Sequence, residues 1–302
     1  MGVAAIEVTG LTKAYGKLQA VAGIDLTVES GEIFAILGPN GAGKTTTVEI
    51  MEGFVKRDAG QVAVLGHDPA KNETALKERI GIVGQETVAD PFLTVREMLK
   101  MIAGTYPKPR PVDEVIRLVG LSDKAKARAG KLSGGQKRRL DVALAIVGDP
   151  ELIFLDEPTT GFDPDARREA WEMIAGLRTL GKTIVLTTHY MEEAEQLADR
   201  IAVIANGKII ARGTPDSLGG RSEARTRIRF RLPPSHPPLP DGLAAIERDG
   251  VSELTSADPV RTLHDLTGWA LAHGLPLTGL DVSRPSLEDT YLSLIAAHGG
   301  VA

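Results

Sequence analysis

The chain is 302 residues long, 42% hydrophobic and 25% charged, with a formal net charge of -5. These values fit a globular protein with room for one large domain and a small one, and they give no drive toward nucleic acid, which is not expected as a partner. Cysteine is absent, which excludes disulfides and thiol chemistry and fits a reducing cytosol.

The start, Met1-Gly2-Val3-Ala4-Ala5-Ile6, lacks the basic region and long apolar core of a secretion signal. It also lacks the Ser or Thr at position six that myristoylation of Gly2 requires. Apolar stretches at 6–8, 24–28 and 33–37, separated by Gly16 and by Glu29-Ser30-Gly31, predict strands. Thr45–Met51 predicts a helix directly after the third. From 93 to 148 the apolar spacing is helical, with segments at Val95–Ile102, Val112–Val119 and Gln136–Val147. Tyr106-Pro107-Lys108-Pro109-Arg110-Pro111 is a stiff connector between the first two. Leu152–Leu155 and Ile184–Leu186 are continuous apolar runs of the kind that form central parallel strands. Ile201–Ile204 and Lys208–Ala211 flank Asn206-Gly207, a strong hairpin turn.

A boundary is predicted near Leu218–Ser222. Beyond it come an alternating strand at Arg225–Leu232, a Pro-rich stretch, a helix at Pro259–His273, a strand at Leu277–Val282, and a helix opened by Ser286-Leu287-Glu288-Asp289 in a capping-box pattern. Arg225, Arg227, Arg229 and Arg231 share one face of their strand. They suit an acidic patch or lipid headgroups, or an edge strand kept charged against aggregation, the favoured reading. The most apolar stretches, such as Thr183–Thr187 and Val142–Val147, fall far short of the roughly 18–20 residues that span a bilayer. The chain is not expected to cross a membrane by itself.

The chemistry is concentrated in three strings. Gly38-Pro39-Asn40-Gly41-Ala42-Gly43-Lys44-Thr45, with Thr46 following, lies between a strand and a helix. Its glycines let backbone N–H groups turn inward around an anion at the positive end of that helix. Lys44 suits the β- and γ-phosphates, and the Thr45 hydroxyl suits magnesium. Leu152-Ile153-Phe154-Leu155-Asp156-Glu157 brings two carboxylates to the carboxyl end of a buried strand, where ligands bind in open α/β sheets. Asp156 is expected to hold magnesium, and Glu157 to take a proton from an attacking water. Between these strings stands Leu132-Ser133-Gly134-Gly135-Gln136. Ser133 can cap the helix that follows, and the glycines expose N–H groups at its start, a second place for an anion.

In motif content, order and spacing, residues 3–215 resemble the cassette of the ATP-binding cassette (ABC) ATPases. The resemblance implies an α/β fold, a P-loop NTPase cassette with a RecA-like core, an antiparallel β subdomain and an α-helical signature subdomain at about 92–148. The cassette would occupy 1–218, and a small C-terminal α/β domain 219–302. It implies ATP and Mg2+ as ligands. Ser133, Gly134, Gly135 and Gln136 resemble the signature motif, which the family places against ATP held by a second copy of the chain. Tyr15, in Leu11-Thr12-Lys13-Ala14-Tyr15-Gly16, resembles the aromatic that stacks on adenine. Gln85 looks like the Q-loop glutamine, touching magnesium or the attacking water. Asp163, in Gly161-Phe162-Asp163-Pro164, resembles the D-loop aspartate, although the family often has Leu where Phe162 stands. His189, after Thr187-Thr188, is similar to the switch histidine that contacts the γ-phosphate.

The function implied is the ATPase subunit of a transporter, pairing with itself and with a membrane permease on a separate chain, and so peripheral on the cytoplasmic face of the cell membrane. Pro285-Ser286-Leu287-Glu288-Asp289-Thr290-Tyr291-Leu292 resembles the tail of exporters of the daunorubicin-resistance type, which move drugs, antibiotics or lipid-like compounds outward. The competing expectations are a cytosolic mechanochemical ATPase and the ATPase of an importer. Against the first stand the single phosphate loop and the absence of sustained heptads in the roughly 90 residues between loop and signature.

Overall fold

The computed structural model describes residues 4–71, 73–84, 89–223, 225–240 and 242–298. The chain divides into two compact units, Met1–Pro215 with Ile295–Ala302, and Asp216–Leu294.

The larger unit is built on a six-stranded sheet. Its order is β5 (Ile80–Val83), β6 (Leu152–Asp156), β7 (Thr183–Thr188), β3 (Ile33–Leu37), β8 (Arg200–Ala205) and β9 (Lys208–Gly213). All neighbours run parallel except β8 and β9. These two form the hairpin around Asn206 and Gly207, both at positive φ (49° and 73°) as a two-residue turn of this hand requires. Every residue of β3 and β7 is buried, as are the first four of β6, the pattern of strands covered on both faces. Because β7 lies between β6 and β3, three neighbouring strands deliver their carboxyl ends together. Leu37 is level with Thr188, and Asp156 with Thr187.

A second, antiparallel sheet has the order β2 (Leu18–Glu29), β1 (Ala4–Tyr15), β4 (Ala59–Val64). Ile6, Val8, Leu26 and Val62 from it share one core with Phe34, Phe154, Val185 and Ala202 of the large sheet. Phe34 and Phe154 are fully buried, and truncating such a phenylalanine costs about 3–5 kcal/mol.

Helix α1 (Lys44–Glu52) follows β3, and a short α2 (Thr74–Lys77) precedes β5. Helices α3 (Val95–Ala103), α4 (Val112–Leu118) and α5 (Gly134–Ile146) pack on one another as a helical subdomain. Helix α3 starts with a full capping box between Thr94 and Glu97. Helix α6 (Pro164–Thr179) links β6 to β7, and α7 (Met191–Leu197) links β7 to β8.

The smaller unit is an antiparallel sheet in the order β11 (Ile246–Arg248), β12 (Val251–Ser256), β10 (Thr226–Arg231), β13 (Thr278–Ser283), with α8 (Pro259–Ala272) and the start of α9 (Leu287–Ala297). Ile228, Phe230, Leu254 and Leu266 make its core. Ser286 and Asp289 exchange backbone and side-chain hydrogen bonds at 3.0 Å at the head of α9, the reciprocal cap expected there. One expectation is corrected. The arginine-rich β10 is an interior strand, not an edge. Its charges are tolerated because carboxylates of β12 and α9 meet them: Arg229 Nε lies 3.1 Å from Glu253, and Arg227 contacts Glu253 at 3.3 Å and Asp289 at 3.4 Å.

Candidate functional site

The loop between β3 and α1 is shaped by glycine. Gly43, at φ 104°, is the cap residue immediately before α1, and a Cβ there would strike the carbonyl oxygen of Ala20 on β2. A Cβ on Gly38 would strike the Ile204 carbonyl oxygen. Only glycine allows the chain this close to its neighbours. Pro39, Asn40, Gly41 and Ala42 form the turn between them, closed by the Ala42 N–H donating to Pro39 O at 3.2 Å. The first-turn N–H groups of α1, at Lys44, Thr45 and Thr46, have no acceptor within the helix and add to its positive end. Lys44 is only 6% exposed. Its ammonium donates to Gly38 O at 2.8 Å and Pro39 O at 3.2 Å, so it lies along the loop it serves. Burial lowers its pKa, against the pull of Glu157 and Asp156.

Asp156 ends β6, and its carboxylate accepts a hydrogen bond from the Thr187 hydroxyl on β7. Glu157 follows at φ 46°, a left-handed conformation that costs a non-glycine residue about 1–3 kcal/mol and survives only where the surroundings enforce it. The Glu157 N–H donates to Thr187 at 3.1 Å. Its carboxylate accepts from Thr160 Oγ1 at 3.1 Å and faces His189 Nδ1 at 3.4 Å. His189 stands just beyond β7, its ring against Tyr190 with centroids 4.2 Å apart. Tyr190 in turn carries the Arg167 guanidinium 4.2 Å from its ring centre. Lys44, Asp156, Glu157 and His189 thus come from three adjacent strand ends.

Ser133 caps α5 as the sequence suggests. The Gln136 N–H donates to Ser133 Oγ at 3.3 Å, and the Ser133 N–H to Gln136 Oε1 at 3.1 Å. Gly134 and Gly135 occupy the first turn with no Cβ to cover it. Asp163 caps α6, accepting from the Ala166 N–H at 2.8 Å with Pro164 at the first helical position. Ser133, Gly134, Gln136, Glu157 and Asp163 line one cavity of about 820 Å³. Tyr15 is 48% exposed at the end of β1, with Lys13 Nζ 5.4 Å from its ring centre. Gln85 lies outside the described residues.

Three groups escaped the sequence reading. Arg138, one turn into α5, is 8% exposed. Its guanidinium donates to Asp156 O at 2.7 Å, to Pro158 O at 3.1 Å and to Gly84 O. Its only sequence signal is phase, because it shares a helix face with buried Val142 and Ala145. Glu193 on α7 is fully buried and accepts from Thr159 at 2.8 Å and Trp171 at 3.1 Å; burial raises its pKa. Glu52, at the end of α1, is pushed up to about 8 by burial, with Asp156 and Glu49 adding repulsion. Among the described residues no cluster of three or more His, Asp or Glu could hold a metal by itself, and no helix is long and apolar enough to cross a membrane.

Known proteins resemble this chain along most of its length. The ABC transporter family matches residues 21–160, and a family described as the C-terminal domain of ABC transporter domain-containing-like proteins matches 226–286. A daunorubicin resistance ATP-binding protein of Streptomyces coeruleorubidus is 37% identical over 97% of this chain and 96% of its own. The Nod factor export ATP-binding protein I of Rhizobium sp. (strain N33) is 45% identical over 97% and 98%. A linearmycin resistance ATP-binding protein of Bacillus subtilis (strain 168) is 35% identical over 96% and 97%. Among solved structures, an ATP-binding cassette of an ABC transporter in its ADP conformation superposes with TM-score 0.63 at 25% identity, over 70% of this chain and 91% of that one. A dimeric post-hydrolysis cassette bound to ADP and Pi gives 0.62 at 25% identity, over 69% and 98%. The chain belongs to the ATP-binding subunits of ABC transporters and is a nucleotide-binding ATPase of that family.

Proposed function

We propose that this ATPase drives the export of drugs, antibiotics or lipid-like compounds through a permease on a separate chain, and works as a pair of copies that share two ATP molecules. The observation that carries the chemistry is the convergence of Lys44, Asp156, Glu157 and His189 at the ends of β3, β6 and β7.

Phosphoryl transfer needs position and charge stabilisation above all. Lys44 and the N–H groups at the head of α1 neutralise the triphosphate. Glu157 accepts the proton of the attacking water, and His189 holds the γ-phosphate against it. Tyr15 stacks on adenine. Magnesium, when bound, offsets charge on the β- and γ-phosphates. Thr45, Asp156 and Gln85 are the residues that would hold it. Asp156, already oriented by Thr187, suits a cation that takes one or two protein oxygens and completes its shell with phosphate and water. Ser133, Gly134, Gly135 and Gln136 of one copy close on the nucleotide of the other, with Asp163 at the seam. ATP then favours the closed pair by differential binding, and hydrolysis releases it.

A groove of about 750 Å³, lined by Phe54, Ile82, Met98, Met101, Ile102 and Tyr106, supports a permease partner. Phe54 is 70% exposed and Met101 54%, and a groove that pairs such apolar side chains with charged ones, Glu52, Lys77, Asp90 and Asp141, suits an amphipathic helix. Such docking would hold the subunit on the inner face of the cell membrane. The export direction is supported by relatives named for resistance and export that align along nearly the whole chain. Purification from membranes, followed by transport in vesicles, tests the reading. A co-purifying permease and ATP-dependent outward movement of an amphipathic drug are expected. Capture on ribosomes or DNA would replace the reading with a mechanochemical one, and inward movement would make the protein an importer subunit.

A further inference from the structure

We infer that Arg138 is a positioning residue that fixes the backbone on both sides of Glu157 and so ties the aim of that carboxylate to the signature helix. Glu157 lies between Asp156 and Pro158, and the carbonyl oxygens of both these neighbours accept from the one guanidinium, at 2.7 and 3.1 Å. The third donor reaches Gly84, the residue immediately before Gln85. The side chain is buried, among the carboxylates of Asp141, Asp156 and Glu193. A helix needing only to pack here would bury an aliphatic residue. A planar fork that satisfies carbonyls from two strand ends and the turn after Pro158 sets their relative positions instead. The peptide it grips is the one held at φ 46°, a conformation that requires enforcement from outside. Arg138 is also five residues from Ser133 on the same rigid element, α5. A tilt of α5 as Ser133 takes up the partner's nucleotide therefore pulls on Asp156 and Pro158 and turns Glu157, which serves the other nucleotide. One side chain in this way links the two ATP sites of the pair.

The inference rests on the reading of Glu157 as the base, and the experiment separates the two. Full-length Arg138→Lys, Arg138→Met and Glu157→Gln are compared with wild type in steady-state ATPase kinetics, equilibrium binding of a fluorescent ATP analogue, and thermal melting. Lysine keeps the charge and most of the volume but cannot reach three carbonyls. The expected result is a kcat lower by roughly 10- to 100-fold in both Arg138 variants, the loss typical of a misplaced reacting group. KM and analogue affinity should stay within about threefold, and the melting temperature of Arg138→Lys should stay near wild type. Wild-type kcat in a folded Arg138→Lys overturns the inference. So does a loss of analogue binding and melting temperature that parallels kcat in both variants, which would make the residue a structural brace only. If Glu157→Gln is inactive while Arg138→Lys is not, the inference fails alone; if Glu157→Gln keeps wild-type turnover, the reading beneath it fails.

Discussion

His189 Nδ1 stands 3.4 Å from one carboxylate oxygen of Glu157, while the hydroxyl of Thr160 donates to the other at 3.1 Å. Both oxygens of the carboxylate are thus oriented by groups from different segments, one beyond β6 and one beyond β7. A general base is worth about 10²–10⁴ in rate. Glu157→Gln keeps the shape and removes the basicity, so turnover is expected to fall at least about 100-fold with ATP affinity retained. Size-exclusion chromatography with ATP should then show a persistent dimer. Hydrolysis at the wild-type rate would remove Glu157 from the mechanism.

His189→Ala removes the partner of that carboxylate and the expected contact to the γ-phosphate. Because the two side chains touch, their losses should not add. In a double-mutant cycle, His189→Ala on top of Glu157→Gln is expected to cost far less than His189→Ala alone. Full additivity in kcat would show that the pair does not act as a unit.

Gly38 has no room for a side chain, since the Ile204 carbonyl oxygen occupies that space. Gly38→Ala is expected to destabilise the larger unit by about 1–3 kcal/mol through overpacking and to weaken ATP binding together with stability. Thermal melting with and without ATP measures both. An unchanged melting temperature would mean that β8 and the loop can move apart freely.

Glu52 gives a pH dependence with a definite sign. Its folded-state pKa is raised from 4.5 to about 8, so the native protein keeps a proton that the unfolded chain releases. Stability contributed by the neutral acid is complete below about pH 4.5 and is lost as pH rises toward 8. Glu52→Gln abolishes that titration. The variant should melt a few degrees above wild type near pH 8 and level with it near pH 4.5; about 1 kcal/mol corresponds to roughly 2–4 °C in a domain of this size. Parallel melting curves across the range would contradict the assignment.

The parts of the fold legible in the sequence are those where one physical rule acts alone. Ile33–Leu37, Leu152–Leu155 and Ile184–Leu186 are apolar without interruption because both faces are covered. Ser133 announces its helix because a hydroxyl before two glycines has few other uses. Where two demands compete, the pattern fades. Strand β5 contains Gly81, which reads as a turn residue but is required because Ala145 O of α5 lies where its Cβ would stand. Helix α6 buries only Ala170, Ile174 and Leu177 amid charges, too thin a stripe to stand out. The arginines of β10 suggested an exposed edge because Glu253 and Asp289, which meet them, are distant in sequence. At the site, motif spacing picked out Lys44, Asp156, Glu157 and His189, which the fold brings near one another beyond neighbouring strands. Arg138 stayed hidden beside Arg139, a near twin whose partner is the exposed Glu169. Only the fold separates a guanidinium that grips Asp156 and Pro158 from one that rests on the surface.

The most direct test mixes two inactive chains. One carries Lys44→Ala and Glu157→Gln and keeps its signature; the other carries Ser133→Arg and keeps its phosphate loop and base. Random pairing puts half of the dimers in mixed form, each with one composite site complete, so about a quarter of wild-type sites should be restored. The account expects the mixture to hydrolyse ATP when neither parent does. No recovery from a mixture proven to contain mixed dimers would contradict it, as would full activity of the Ser133→Arg chain alone.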